Sequence, residues 1–154
     1  MALKQLRDER VRSVAESAAW LAKQAEIALG QVDLSLPQYR LLGLLAEGSA
    51  ISKALADRLD VRPPSVTALV DGMVARGLIE RRHAVDDRRQ VSHVLTKEGT
   101  RVLGRADDVV HTRLTMIAGS LPDEEAQLLE SLSRWGVALS AYHAARIAAK
   151  AAAK

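Results

Sequence analysis

Hydrophobic positions along this chain follow two rhythms, and the change from one to the other divides it. Across residues 4–29, Val11, Val14, Ala15, Ala18, Leu21, Ala22, Ala25 and Leu29 recur every three or four residues, with Glu16, Lys23 and Glu26 off the stripe. That spacing predicts a long helix with one apolar face, stopping at Gly30. Pro37 suits the first turn of a second helix reaching Ala46, after which Glu47, Gly48 and Ser49 break the pattern. Ala50 and Ile51 are too few to make a strand alone, but can pair with a later hairpin. Ser52 is the expected N-cap of a third helix through Leu59. Pro63 and Pro64 fit only the opening turn of a fourth helix, where a missing N–H costs nothing; it ends near Arg76, with Gly77 as a left-handed cap.

At Leu78 the period shortens from the helical one to two. Ile79 and Arg81 alternate with Glu80 and Arg82, and Val91, His93 and Leu95 with Ser92 and Val94, so two short strands flank a polar tip from Ala84 to Arg89. Thr96 is expected to cap a fifth helix that runs to Ile117 in spite of Gly99 and Gly104. After Gly119 and Ser120, the run Pro122, Asp123, Glu124, Glu125 starts a sixth helix with carboxylates where the helix dipole favours them. This helix carries Leu128, Leu129, Leu132, Trp135, Leu139 and Tyr142 and fades into an alanine-rich tail. The expected fold class is mainly α with a small antiparallel β-wing. Residues 34–99 form a winged helix-turn-helix, residues 1–33 an N-terminal dimerisation helix, and residues 100–154 the C-terminal dimerisation helices and tail. End helices that cannot cover their own apolar stripes call for a second copy of the chain in a two-fold dimer. Helix pairs followed by a basic ribbon grip duplex DNA, with one helix in the major groove and the ribbon in the adjacent minor groove.

Composition narrows the remaining options. The 154 residues carry a net charge of +3 with no cysteine, which excludes a disulfide scaffold, a thiol nucleophile and a thiolate metal site. The sequence pI of about 9.5 is compatible with nucleic acid but does not specify it. Apolar runs such as LLGLLA fall far short of the roughly 18 residues needed to span a membrane. The first residues are mixed-charge without an apolar stretch, and the cytoplasm is the expected location. His83, His93, His111 and His143 form no paired-ligand motif, although His83 and His93 lie on strands that bring them near each other. No metal or cofactor is implied, and no nucleophile–base–acid set suggests an enzyme.

The runs LSLPQYRLLGLLAEG, ISKALADRLDVRPPSVTALVDGMVARGLIERR and DDRRQVSHVLTKEG, spanning Leu34 to Gly99, resemble the MarR family of bacterial regulators. The segments Ser-Val-Thr-x-Leu-Val-Asp, Ala-Arg-Gly-Leu-Ile-Glu-Arg and Asp-Arg-Arg followed by Leu-Thr-x-x-Gly are individually weak and jointly specific. The resemblance implies a dimer that binds pseudo-palindromic double-stranded DNA operators, usually as a repressor, and often releases them when a small phenolic ligand binds between the dimerisation and DNA-binding parts.

On that reading Arg62, Pro63, Pro64, Ser65 and Thr67, at the start of the fourth helix, face base edges or phosphates. The family often has a basic residue where this chain has Ala68, so shape readout and the wing are expected to carry more of the specificity. In the wing, Arg88 or Arg89 enters the minor groove, Asp87 braces Arg89, and Arg81 and Arg82 alternate in facing, one towards phosphate and one onto the sheet. The family's ligand pocket points to Trp20, Tyr39, His111 and Arg113; Trp20 and Tyr39 are otherwise core or dimer packing. Leu41, Leu44, Leu45, Leu55, Leu59, Val66, Leu69, Val70, Met73, Leu78 and Ile79 are expected core. Two alternatives share the fold: a winged-helix protein–protein interaction module, and a sequence-tolerant nucleoid-associated DNA binder helped by the lysine-bearing tail.

Overall fold

The computed structural model describes residues 2–83 and 91–152. Among the described residues, six helices and three strands follow in the order α1 (Ala2–Leu29), α2 (Leu36–Ala46), β1 (Ala50–Ile51), α3 (Ser52–Leu59), α4 (Pro63–Ala75), β2 (Ile79–His83), β3 (Val91–Leu95), α5 (Lys97–Ala118) and α6 (Glu125–Ala152). Short 3-10 turns at Gly30–Val32 and Pro122–Glu124 precede α2 and α6. The expected mainly helical winged architecture is present. The alanine-rich segment does not fade early: α6 continues through Ala152, as a run of the strongest helix former allows. None of the described helices is long and apolar enough to cross a membrane.

Local chemistry accounts for most boundaries. Ser35 opens α2 with a capping box, its side chain accepting from the Gln38 backbone while the Gln38 side chain accepts from Ser35 N at 2.9 Å. Pro63 and Pro64 occupy the first turn of α4 behind an extended Arg62, and Asp60 makes the preceding turn in the left-handed region at φ 57. Ser52 is not the cap of α3. Ile51 holds that position, and the Ser52 hydroxyl lies 2.8 Å from His93 Nε2 on the sheet. A partner 41 residues away outcompetes the local backbone for that hydroxyl.

The sheet order is β1-β3-β2. Ala50 and Ile51 find their expected partner in β3, and β2 pairs antiparallel with β3 from Ile79↔Leu95 to His83↔Val91. One core unites the helix-turn-helix with the sheet and α5, built from Leu29, Leu41, Leu42, Leu45, Leu55, Leu59, Val66, Val70, Met73, Leu78, Ile79, Val102 and Ala106. Of the expected core residues, Leu44 and Leu69 are partly buried against it rather than within it.

Thr96 stitches wing to helix. Its hydroxyl donates to Gly77 O at 2.7 Å and accepts from Gly99 N at 2.9 Å, while its own N–H donates to Leu78 O at 3.1 Å. Gly99 packs so closely under β2 that a Cβ there would lie 2.0 Å from the Leu78 carbonyl oxygen. That is backbone against backbone, with no flexible side chain to give way. Gly99→Ala should therefore lower stability by about 1–3 kcal/mol in urea unfolding despite alanine's better helix propensity; a stabilised variant would contradict the packing.

Candidate nucleic-acid interface

The orientation of α4 follows from its apolar stripe. Val66, Val70 and Met73 are at most 1% exposed, so Arg62, Pro63, Pro64, Ser65 and Thr67 are all exposed at its leading end. They lie within five positions of one another, with buried Val66 among them. Thr67 Oγ1 donates to Pro63 O at 3.3 Å; engaged in this back-bond, the hydroxyl is left as an acceptor for an outside group.

Arg81 and Arg82 are both exposed and have different partners. Arg81 reaches back from β2 to the carboxylate of Asp71 on α4, tying the ribbon to the middle of that helix. Arg82 Nε donates to Glu80 Oε1 at 2.7 Å and is the more exposed of the two. Asp87, Arg88 and Arg89 lie outside the described residues.

His93 is a buried polar residue on β3, 3% exposed. It stands opposite Arg81 in the register, whereas His83 stands opposite Val91. Nε2 is bonded to Ser52, and Nδ1 has no hydrogen-bond partner among the described residues. Burial lowers the His93 pKa from its ordinary 6.5; the Arg81 charge lowers it further and Asp71 acts against both. The ring is thus held neutral where the first turn of α3 meets the wing. The described residues include no group of three or more potential metal ligands.

Trp20 lies on α1, Tyr39 on α2, and His111 and Arg113 on α5. The Tyr39 hydroxyl on α2 donates to Asp107 Oδ1 on α5 at 2.7 Å. Burial, reinforced by that carboxylate, pushes the phenol's pKa well above its ordinary 10. His111 lies one turn beyond Asp107 on α5 and is exposed. Arg113 Nε donates to Gln24 Oε1 at 2.8 Å, clasping α5 to α1. Trp20, one turn before Gln24, is 67% exposed. No hydrogen bond or ring contact joins any two of the four among the described residues.

Contacts between residues far apart in the chain were not legible in the sequence; besides Tyr39 with Asp107 and Arg113 with Gln24, they include Ser52 with His93, the shorter-range Asp71 with Arg81, and the ion pair between Asp60, in the helix-turn-helix turn, and Arg146 on α6, with Nη1 3.0 Å from Oδ2. Asp60, with Tyr142 contributing less, raises the Arg146 pKa and fixes its charge. Periodicity carries no signal for such pairs.

Known proteins resemble this chain in sequence and fold. The pattern of the MarR family matches residues 32–90. The HTH-type transcriptional regulator YhbI of Bacillus subtilis (strain 168) is 38% identical over 85 residues, 54% of this chain and 55% of that protein, so the chain spans only about half of that relative's length. The homoprotocatechuate degradative operon repressor of Escherichia coli is 30% identical over 108 residues, 70% of this chain and 73% of the repressor. Among solved structures, RV1404 from Mycobacterium tuberculosis superposes with a TM-score of 0.73 at 27% identity, covering 85% of this chain and 92% of that one. NadR in complex with 4-hydroxyphenylacetate superposes at 0.61 with 28% identity, covering 79% and 87%.

The protonation of His93 has a measurable consequence. A depressed folded-state pKa means that the unfolded chain binds a proton the folded chain refuses, so stability is complete above 6.5 and is lost as pH falls below it. The melting temperature should drop between about pH 7.5 and pH 5.5, and His93→Gln should flatten that slope. An unchanged slope in the variant would show that the ring titrates freely.

Proposed function

Because this chain belongs to the MarR family of transcriptional regulators, we propose that it is a homodimeric, sequence-specific repressor of a pseudo-palindromic DNA operator, released by a small phenolic ligand. The observation that carries the DNA-binding reading is the leading surface of α4. Its buried stripe leaves Arg62, Pro63, Pro64, Ser65 and Thr67 facing outward together, and Arg81 fixes the wing to the same helix through Asp71. In this reading the first turn of α4 enters the major groove while Arg88 or Arg89, braced by Asp87, enters the minor groove. Arg82 contacts phosphate at the edge of the site.

Exposed apolar side chains support the dimer. Val11, Val14 and Trp20 on α1, Met116 on α5, Leu121 beyond it, and Trp135 and Val137 on α6 are each more than half exposed in the single chain. A soluble monomer seldom leaves so many large apolar groups on its end helices. A two-fold axis through these helices buries them and sets two α4 helices about one DNA turn apart. The effector reading draws support from relatives, one named for the repression of a homoprotocatechuate degradative operon and one solved with 4-hydroxyphenylacetate. In this chain Tyr39, His111, Arg113 and Trp20 are the candidate contacts.

Fragments selected from the source genome supply the operator for the test. Arg88→Ala with Arg89→Ala should weaken binding and reduce the slope of log K against log salt by about 0.9 for each phosphate that is no longer neutralised. Unchanged affinity and slope would remove the wing from the mechanism. If the chain retards no fragment at moderate salt, a protein-binding role for the winged unit replaces the repressor reading.

A further inference from the structure

Among the described residues His93 is the one buried polar or charged side chain, and the surface presented by α4 makes no use of it. Alternation along β3 puts it on the same face as Leu95, which packs against the core. β3 is the central strand, so the ring has a neighbour on either side, Ala50 on β1 and Arg81 on β2. Its Nε2 lies 2.8 Å from the Ser52 hydroxyl at the start of α3. β1 is only two residues long. The backbone ladder that holds the β2–β3 ribbon to the helices is therefore short, and the bond from His93 to Ser52 supplements it.

A neutral imidazole offers one donor and one acceptor, and Ser52 satisfies one of them. A protonated ring offers two donors, and Nδ1 has no acceptor among the described residues. Protonation in place therefore leaves a buried, charged N–H unpaired. The surrounding charge does not relieve it. Arg81 opposes a proton on the ring, and Asp71, which favours one, is engaged by Arg81. On β2, Glu80 pairs with Arg82, and His83 stands opposite Val91 at the far end of the ladder. Glu47 of α2 pairs with Arg58 of α3, and Glu98 pairs with Arg101 on α5. Asp57 is half-buried further along α3, while Arg40, Lys53 and Lys97 are exposed.

We propose that His93 positions the wing as a proton-operated clamp: the neutral ring holds β3 to α3 through Ser52, and a protonated ring releases the β2–β3 ribbon. A released ring takes up its proton at the ordinary 6.5. The clamp is therefore closed above that pH and loosens as pH falls below it. A released ribbon no longer keeps Arg81 on Asp71 or the wing in register with α4, so acid weakens the hold on DNA. That last consequence rests on the proposed DNA-binding reading; the clamp does not.

Hydrogen exchange of the full chain, without DNA, tests the clamp. After correction for the chemical exchange rate, the opening constant of the β2 and β3 amides should rise about tenfold from pH 7.5 to pH 5.5. These amides should also open ahead of the core amides of α2. His93→Gln keeps a hydrogen-bonding side chain that does not titrate, and should show no such rise. Ser52→Ala should raise the opening constant already at pH 7.5. Circular dichroism melting at pH 7.5 confirms folding, and His93→Val takes the place of His93→Gln if the latter fails to fold. With a selected operator fragment, the same acidification should weaken binding more in the wild type than in His93→Gln, by up to about tenfold. An equal rise in opening in both proteins, wing amides that open only together with α2, or an equal loss of affinity in both would overturn the proposal. Failure to retard any fragment at pH 7.5 would remove the DNA-binding reading alone, and the exchange result would still decide the clamp.

Discussion

The rotation of α4 about its own axis is the constraint on which the functional surface depends. Val66, Val70 and Met73 sink into a core shared with α2, α3, β2 and α5, and burying three such side chains contributes several kcal/mol that any other rotation would forfeit. With that face committed, the polar positions of the first turn have no choice of direction. The two prolines reinforce it: their rings fix the backbone into helix at the first opportunity, so the outward residues start at Arg62 and not a turn later. The wing is then referenced to this helix twice, through Arg81 and Asp71 and through the packing of Ile79 in the shared core.

Much of this was legible in the order of residues because it is written in local rules. The change from helical spacing to alternation at Leu78 marked the wing, and the Thr96 cap and the Gly77 turn stand where side-chain chemistry puts them. Ala50 and Ile51 were legible as a strand in need of a partner. The helix-turn-helix core was legible apart from Leu42 and Ala56, buried without having been expected, and degrees of burial at Leu44 and Leu69. Gly99 read as an obstacle within a helix, whereas it is the one residue able to pass under the Leu78 carbonyl. Nothing local could reveal that, because the obstructing atom belongs to another element.

The site was less legible for the same reason. Ser52 satisfied every local rule for an N-cap, and a buried histidine 41 positions on claimed its hydroxyl instead. Tyr39 and Arg113 each have a polar partner far away in the chain, Asp107 and Gln24, that periodicity did not indicate. Asp60 and Arg146 are 86 residues apart and join the turn of the DNA-binding unit to the last helix. The Asp60–Arg146 ion pair is open to solvent and contributes little to stability. Its interest is geometric: it ties the turn ahead of α4 to α6.

Because the chain has no native cysteine, a single introduced thiol reports on one position alone. The most direct test of the α4 surface is the rate of thiol labelling in Ser65→Cys with and without a selected operator fragment, with Ser133→Cys on α6 as reference. Both positions should label rapidly in free protein, with strong protection of position 65 alone when DNA is bound. Equal labelling of position 65 in the presence of DNA that the protein demonstrably binds would contradict it.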